Sequence, residues 1–173
     1  MQKIRNIFLD AEFAEVEIPA PAAPTSYSLS TLTEKNLREV LSLNLRCFYQ
    51  GENYTKLTFK HLLTEPNILS YQIITAERQM VGFIFIAVHN DKIGHITTIG
   101  VAPEHRNRGL AKLLLQHAEK ALKTRGFDSV VLEVRVSNYI AQNLYHQLDY
   151  NIIQKLENYY TNKEDAYLMS KSL

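Results

Sequence analysis

The stretch Ile99-Gly100-Val101-Ala102-Pro103-Glu104-His105-Arg106-Asn107-Arg108-Gly109-Leu110-Ala111 constrains this chain more than any other. An Ile-x-Val strand runs into Pro103, and proline has no N–H to give to a ladder, so the strand ends there. Leu113-Leu114-Leu115 then begins the apolar repeat of a helix that the periodicity places over about 107–125. A strand feeding straight into a helix leaves the first backbone N–H groups of that helix unpartnered at one end of a sheet. Those groups and the helix dipole favour an anion. Gly109 has no Cβ to keep a phosphate off the main chain, and Arg106 and Arg108 bring positive charge. The requirement met is that of gripping a pyrophosphate. No Gly-Lys-Ser/Thr follows, so this is not the nucleotide P-loop, and two of the three glycines of a dinucleotide fingerprint are missing.

A chain of 173 residues suits one domain with a full-sized core. The formal net charge of +1 gives no electrostatic reason to expect a nucleic-acid partner. Cys47 is the single cysteine, so a disulfide within the chain is excluded; beside Leu45 and Phe48 it reads as a small core residue rather than a nucleophile. No apolar run reaches 18 residues, and the N-terminus, with Asp10, Glu12, Glu15 and Glu17, lacks the block of a signal peptide. The expectation is a cytoplasmic protein without a membrane partner, a monomer or weak homodimer. His105, His117 and His146 lack ligand spacing, so no metal is expected.

Residues 1–26 read as an N-terminal arm that packs on the domain or on a neighbouring subunit. Pro19-Ala20-Pro21-Ala22-Ala23-Pro24 within it must be extended. Residues 27–173 read as the domain. Strands are expected at 27–32, 69–76, 80–88, 93–101, 128–136, 150–157 and 165–171. Helices are expected at 34–47 after Thr33, at 56–64 before Pro66, at 107–125 up to Gly126, and at 138–148 after Ser137. Short turns at 77–79 and 89–92 make the three middle strands an antiparallel meander. The fold class is α/β (α+β): a mixed, mostly antiparallel sheet of about seven strands with about four helices.

In Val130–Val136 the side chains alternate. Val130, Leu132, Val134 and Val136 share one face; Val131, Glu133 and Arg135 share the other. A carboxylate in so apolar a strand is read either as an ion pair with Arg135 or as a general base, and the residues alone leave both open. His95, one strand earlier, is read as structural, with a base as the alternative.

Arg106-x-x-Gly109-x-Ala111 after Ile99–Pro103 resembles the acetyl-coenzyme A signature of the GNAT superfamily of N-acetyltransferases. Leu132-Glu133-Val134-Arg135-Val136-Ser137-Asn138, Leu144-Tyr145, Asn158-Tyr159-Tyr160 and Glu164-Asp165-Ala166-Tyr167 sharpen the resemblance. They are similar to the protein N-terminal acetyltransferases of that superfamily, above all the RimI-type ribosomal-protein alanine acetyltransferases. The resemblance runs from about Tyr27 to Met169. It implies acetyl-CoA as co-substrate and the GNAT fold. It implies Glu133 as general base, directly or through water, and Tyr145 as proton donor to the leaving thiolate. Asn138 would contact the cofactor, the strand Ile99-Gly100-Val101 would pair with the pantetheine arm, and Arg106-Asn107-Arg108-Gly109-Leu110-Ala111-Lys112 would form the pyrophosphate loop. Tyr159 and Tyr160 would flank the acceptor. The chain departs from the family at Asp149 and Lys163, where glycine is usual, at Ala111, and over Phe48–Tyr54, the loop expected to meet the acceptor.

The expected reaction is direct acyl transfer from acetyl-CoA to an N-terminal α-amine in a ternary complex, with a ribosomal protein among the candidate acceptors. An α-amine, with a pKa near ~8 against ~10.4 for lysine, supplies a few hundred times more free base at neutral pH, so a carboxylate suffices as base. A backbone N–H near Ile99–Val101 is the expected oxyanion donor. The alternatives are a small amine or a lysine side chain as acceptor, and a non-catalytic acyl-CoA-binding module.

Overall fold

A computed structural model describes residues 19–48, 54–89 and 91–173. The stretch Met1–Glu17 of the expected arm and residues 49–53 of the expected acceptor loop lie outside the described residues.

The strand β3 (Met80–Val88) is apolar almost without a break, because it lies inside the sheet and is covered on both faces. Gly82 faces the helix α3 (Leu110–Thr124), where an added Cβ would lie 3.3 Å from Leu114. Phe83 and Phe85 face the other way, onto Phe59 of α2 (Lys56–Thr64) at ring distances of 6.1 and 5.5 Å. The helix α1 (Leu37–Cys47) lies on the α2 side, since an added Cβ at Gly100 would meet both Phe83 and Cys47. The core is therefore two layers of helix on one sheet.

The remaining elements are β1 (Tyr27–Thr31), β2 (Ile68–Thr75), β4 (Ile93–Val101), β5 (Ser129–Arg135), α4 (Tyr139–His146), β6 (Asn151–Leu156) and β7 (Ala166–Ser172). The spatial order is β1-β2-β3-β4-β5-β7-β6, and every neighbouring pair is antiparallel except β4 with β5. This is the seven-stranded, four-helix α/β architecture that the sequence implied. Among the described residues, no helix is long and apolar enough to cross a membrane.

Two features of β4 prepare the site. Phe85 pairs with Thr98 and Ile86 with Ile96, so Thr97 is an extra residue, a β-bulge. The parallel pairing with β5 covers Ile93–Ile96 against Ser129–Leu132 and goes no further. Beyond it β4 stays with β3 and β5 stays with β7 as far as Arg135, so the two strands part and leave a V-shaped gap.

Boundaries moved at three helices, and the one expected over 34–47 opens with a 3₁₀ turn at Glu34–Asn36 before α1 begins at Leu37. The helix expected from 107 starts at Leu110, because Asn107 (φ +60°) and Gly109 (φ +75°) hold left-handed backbone that no α-helix contains. The helix expected over 138–148 is α4, and its cap is Asn138 rather than Ser137: the Ala141 N–H donates to Asn138 Oδ1 at 3.1 Å. Asp149 (φ +66°) and Lys163 (φ +63°) are left-handed as well. Both positions where the family usually has glycine thus keep a glycine-like backbone under a side chain.

Candidate active site

The gap is lined by main chain. The Ala102 N–H donates to Val81 O at 2.9 Å. Along an antiparallel ladder, backbone groups alternate between pointing at the neighbour and pointing away. The N–H and C=O of Val101 and Ile99 therefore face the gap, and those of Gly100 face β3. Gly100 itself must be glycine, because an added Cβ would lie 2.9 Å from the Phe83 ring and 3.0 Å from Cys47 Sγ. At the bulge, the Tyr54 hydroxyl donates to Thr97 O at 3.0 Å, and Thr97 Oγ1 donates to Phe85 O at 3.2 Å.

The gap opens towards the start of α3. The first helical N–H to find a helical acceptor is that of Leu113, which donates to Gly109 O at 2.9 Å. The N–H groups of Leu110, Ala111 and Lys112 have no acceptor in the helix, so an anion is favoured there. Gly109 is exposed, and the space where its Cβ would stand is empty to 4 Å. The loop therefore suits a pyrophosphate approaching the main chain.

The arginine side chains of this loop are used within the protein. Arg106 Nε donates to Val101 O at 3.3 Å and its Nη2 to Cys47 O at 3.4 Å, which ties the loop to the end of α1. Arg108 donates to Ala23 O at 3.1 Å, to the Tyr27 hydroxyl at 2.7 Å and to Ala22 O. The guanidinium groups are thus bound to carbonyls and, for Arg108, also to the Tyr27 hydroxyl.

Glu133 and His95 meet across the parallel pair. His95 lies opposite Val131, and Glu133 is two residues further along the same face. His95 Nε2 is 2.6 Å from Glu133 Oε2, and both side chains are partly exposed. The ion pair of Glu133 with Arg135 that the sequence left open is not formed. Arg135 binds Glu164 at 2.7 Å, and its guanidinium lies 3.7 Å over the Tyr160 ring. Glu164 also accepts from the Ser137 N–H at 3.1 Å and the Ser137 hydroxyl at 2.5 Å. Hydrogen bonds from Ser137 and Arg135 pull the Glu164 carboxyl down to about 2. This clamp fastens the loop between β6 and β7 to the end of β5 and fixes Tyr160 near Glu133. Tyr159 stacks edge-on against Tyr160 at 5.1 Å and stays exposed.

Tyr145 projects from α4 into a buried setting, with its ring 5.8 Å from that of Tyr150. Burial, with Tyr160 nearby, pushes its hydroxyl well above the usual phenol range. The group is a stored proton at any working pH. Asn138 is exposed and uses its side-chain oxygen to cap α4. Burial raises the Cys47 thiol to about 11, so it is no nucleophile at neutral pH. Among the described residues, no group of three or more His, Cys, Asp or Glu side chains is arranged to hold a metal ion.

His95, expected to be structural with a base as the alternative, stands against Glu133. A signal existed: His95 and Thr97 alternate with apolar residues on β4 as Glu133 and Arg135 do on β5. Only the parallel register puts His95 beside Glu133. Nothing in the sequence pointed to Tyr54 as a support for the bulge.

Residues 36–150 match the model of the acetyltransferase (GNAT) family. An N-alpha-acetyltransferase of Saccharolobus solfataricus is 34% identical over 134 residues, covering 70% of this chain and 80% of that protein. The N-alpha-acetyltransferase daf-31 of Caenorhabditis elegans is 36% identical over 145 residues, covering 80% of this chain and 78% of that protein. The crystal structure of the ribosomal-protein-S18-alanine N-acetyltransferase from Escherichia coli superposes with a TM-score of 0.78 at 27% identity, covering 85% of this chain and 94% of that one.

Proposed function

The chain belongs to the acetyltransferase (GNAT) family, and from that premise we propose that it carries the acetyl group of acetyl-CoA to the α-amine of a protein N-terminus. The N-alpha-acetyltransferase relatives support this acceptor class. The observation that carries the chemistry is the Glu133–His95 pair, 2.6 Å apart beside the place where β4 and β5 part.

Acetyl-CoA supplies the activated thioester, and the residues present fit it. The N–H groups of Leu110, Ala111 and Lys112, with the open Gly109, hold the pyrophosphate. The gap-facing groups of Ile99 and Val101 pair with the pantetheine amides, and one of those N–H groups faces the developing oxyanion, a contribution of about 3–4 kcal/mol. Glu133 accepts the amine proton, held in place by His95; a base so placed contributes about 10²–10⁴-fold. Tyr145 returns a proton to the departing thiolate. Tyr160, clamped by Arg135, and the exposed Tyr159 form a rim for the first residues of the acceptor. We place the enzyme in the cytoplasm and take a ribosomal protein as one candidate acceptor.

The test is thiol release from acetyl-CoA with short peptides that have free N-termini, beside the same peptides blocked at the N-terminus but containing lysine. Turnover with free N-termini only is expected. Turnover of blocked peptides or of small amines replaces the acceptor class. Cofactor binding without any turnover across the panel favours a binding module.

A further inference from the structure

The short segment before β1 is fastened to the anion loop, to the turn just ahead of that loop and to the turn after β2. The Ala22 N–H donates to Glu104 O at 2.9 Å. Thr25 Oγ1 donates to Glu77 at 3.2 Å. Arg108 reaches back to the carbonyls of Ala22 and Ala23 and gives a third hydrogen bond, of 2.7 Å, to the Tyr27 hydroxyl. Tyr27 Oη is also 3.0 Å from Nδ1 of the buried His105. Guanidinium is only a donor, so the Tyr27 oxygen accepts from Arg108. Tyr27 thus links Arg108 to His105.

Arg108 stands between Asn107 at φ +60° and Gly109 at φ +75°. A non-glycine residue with positive φ persists where its surroundings hold it. The three hydrogen bonds from Arg108 do that here, and they occupy three of its five N–H donors.

We propose that residues 22–27 form a strap that holds the anion loop in its binding shape through Arg108. Arg108 is then a positioning residue, and the segment outside the domain's first strand is part of the cofactor site. This rests on the acetyl-CoA reading above.

The test is a double-mutant cycle in the full chain, read as the Kd for CoA by calorimetry and as KM and kcat for acetyl-CoA. Losing a hydrogen bond from a charged donor weakens binding roughly tenfold in Arg108→Gln, and the milder Tyr27→Phe does so about threefold. If Arg108 acts through the strap, the double variant binds no more weakly than Arg108→Gln alone, because the two residues share one interaction. The loss lies in KM rather than kcat, which separates it from general damage to the fold. Two results overturn the strap: Tyr27→Phe binding CoA as the wild type does, or the two losses multiplying. A wild-type chain that fails to bind CoA at all removes the acetyl-CoA reading and the strap with it.

Discussion

Replacing Gly100 with alanine couples packing to chemistry at the gap. The added Cβ would stand 2.9 Å from Cε1 and Cζ of Phe83 and 3.0 Å from Cys47 Sγ. Non-bonded carbons rest at about 3.5–4.0 Å, so one side must retreat by roughly 0.6 Å or more. Phe83 cannot yield, since it is fully buried and braced by Phe59 and Phe85, each at a ring distance of 6.1 Å. The strand moves instead. Overpacking of this kind costs about 1–3 kcal/mol. For a chain of this size that is a fall in Tm of roughly 2–12 °C. The shift carries the gap-facing N–H groups of Ile99 and Val101 with it. A displacement of about 1 Å costs on the order of a hundredfold in rate, so a little over half of that predicts roughly a tenfold loss of kcat/KM. Melting followed by circular dichroism and thiol release on one preparation measure both. Gly94→Ala is the comparison: its Cβ meets Leu122 Cδ1 at 2.5 Å, on the opposite face and before the bulge. It should lower Tm with a smaller loss of kcat/KM. A Gly100→Ala protein that melts with the wild type, or that loses stability while keeping kcat/KM within about twofold, refutes the argument.

Glu133→Gln is expected to lower kcat by about 10²–10⁴-fold at pH 7 and to stay impaired at pH 9.5. An α-amine of pKa ~7.8 is already neutral in about one molecule in seven at pH 7, so a deficit that vanishes at high pH would restrict Glu133 to deprotonating the ammonium. Burial keeps the Tyr145 hydroxyl protonated, so the pH–rate profile should show no descending limb from it below its ordinary value of 10.0; Tyr145→Phe should lose kcat by about 10²-fold with the acetyl-CoA KM little changed. Because Glu164 has a depressed pKa, its stabilising effect is full above its ordinary value of 4.5 and fades as pH falls through about 2. Acid melting curves of Glu164→Gln should show a shallower loss over that window, and equal slopes would count against the clamp. Lys163→Gly relieves a left-handed side chain and should raise Tm by an amount matching about 1 kcal/mol, while a fall in Tm would mean that the lysine is otherwise held.

Much of the fold was legible because its signals are local. The apolar run of β3, the turns at 77–79 and 89–92 and the stop at Gly126 each act within a few residues. The strand-to-helix turn that forms the candidate anion loop was legible for the same reason. What escaped depends on register. His95 and Glu133 are 38 residues apart in the chain and meet only through the parallel pairing of β4 with β5. Arg135 had a nearer carboxylate in sequence, Glu133, on its own face of β5, but His95 takes Glu133 and the β6–β7 loop brings Glu164 to Arg135. The arginines of the anion loop read as positive charge beside an anion, but their hydrogen bonds to Cys47, Ala22, Ala23 and Tyr27 come from segments far away in the chain and leave no local pattern. No residue pattern marks Thr97 as an inserted bulge, since its neighbours on both sides look like ordinary strand.

The parting of β4 from β5 also has a consequence for the lifetime of the protein. It divides the sheet into a ladder of four strands and a ladder of three, joined along Ile93–Ile96. If the acetyl donor binds as proposed, it adds hydrogen bonds along the free edge of β4 at Ile99 and Val101 and braces the seam. Whatever binds the native state alone stabilises it in proportion to the logarithm of its concentration. Amides of Ile99 and Val101 should then exchange with solvent quickly in the free protein and slowly in the loaded one. In a cell whose acetyl donor runs low, the seam stands open more of the time, and proteases that cleave transiently opened chains gain access. The abundance of the enzyme, and not only its rate, would follow the supply of the molecule that it consumes.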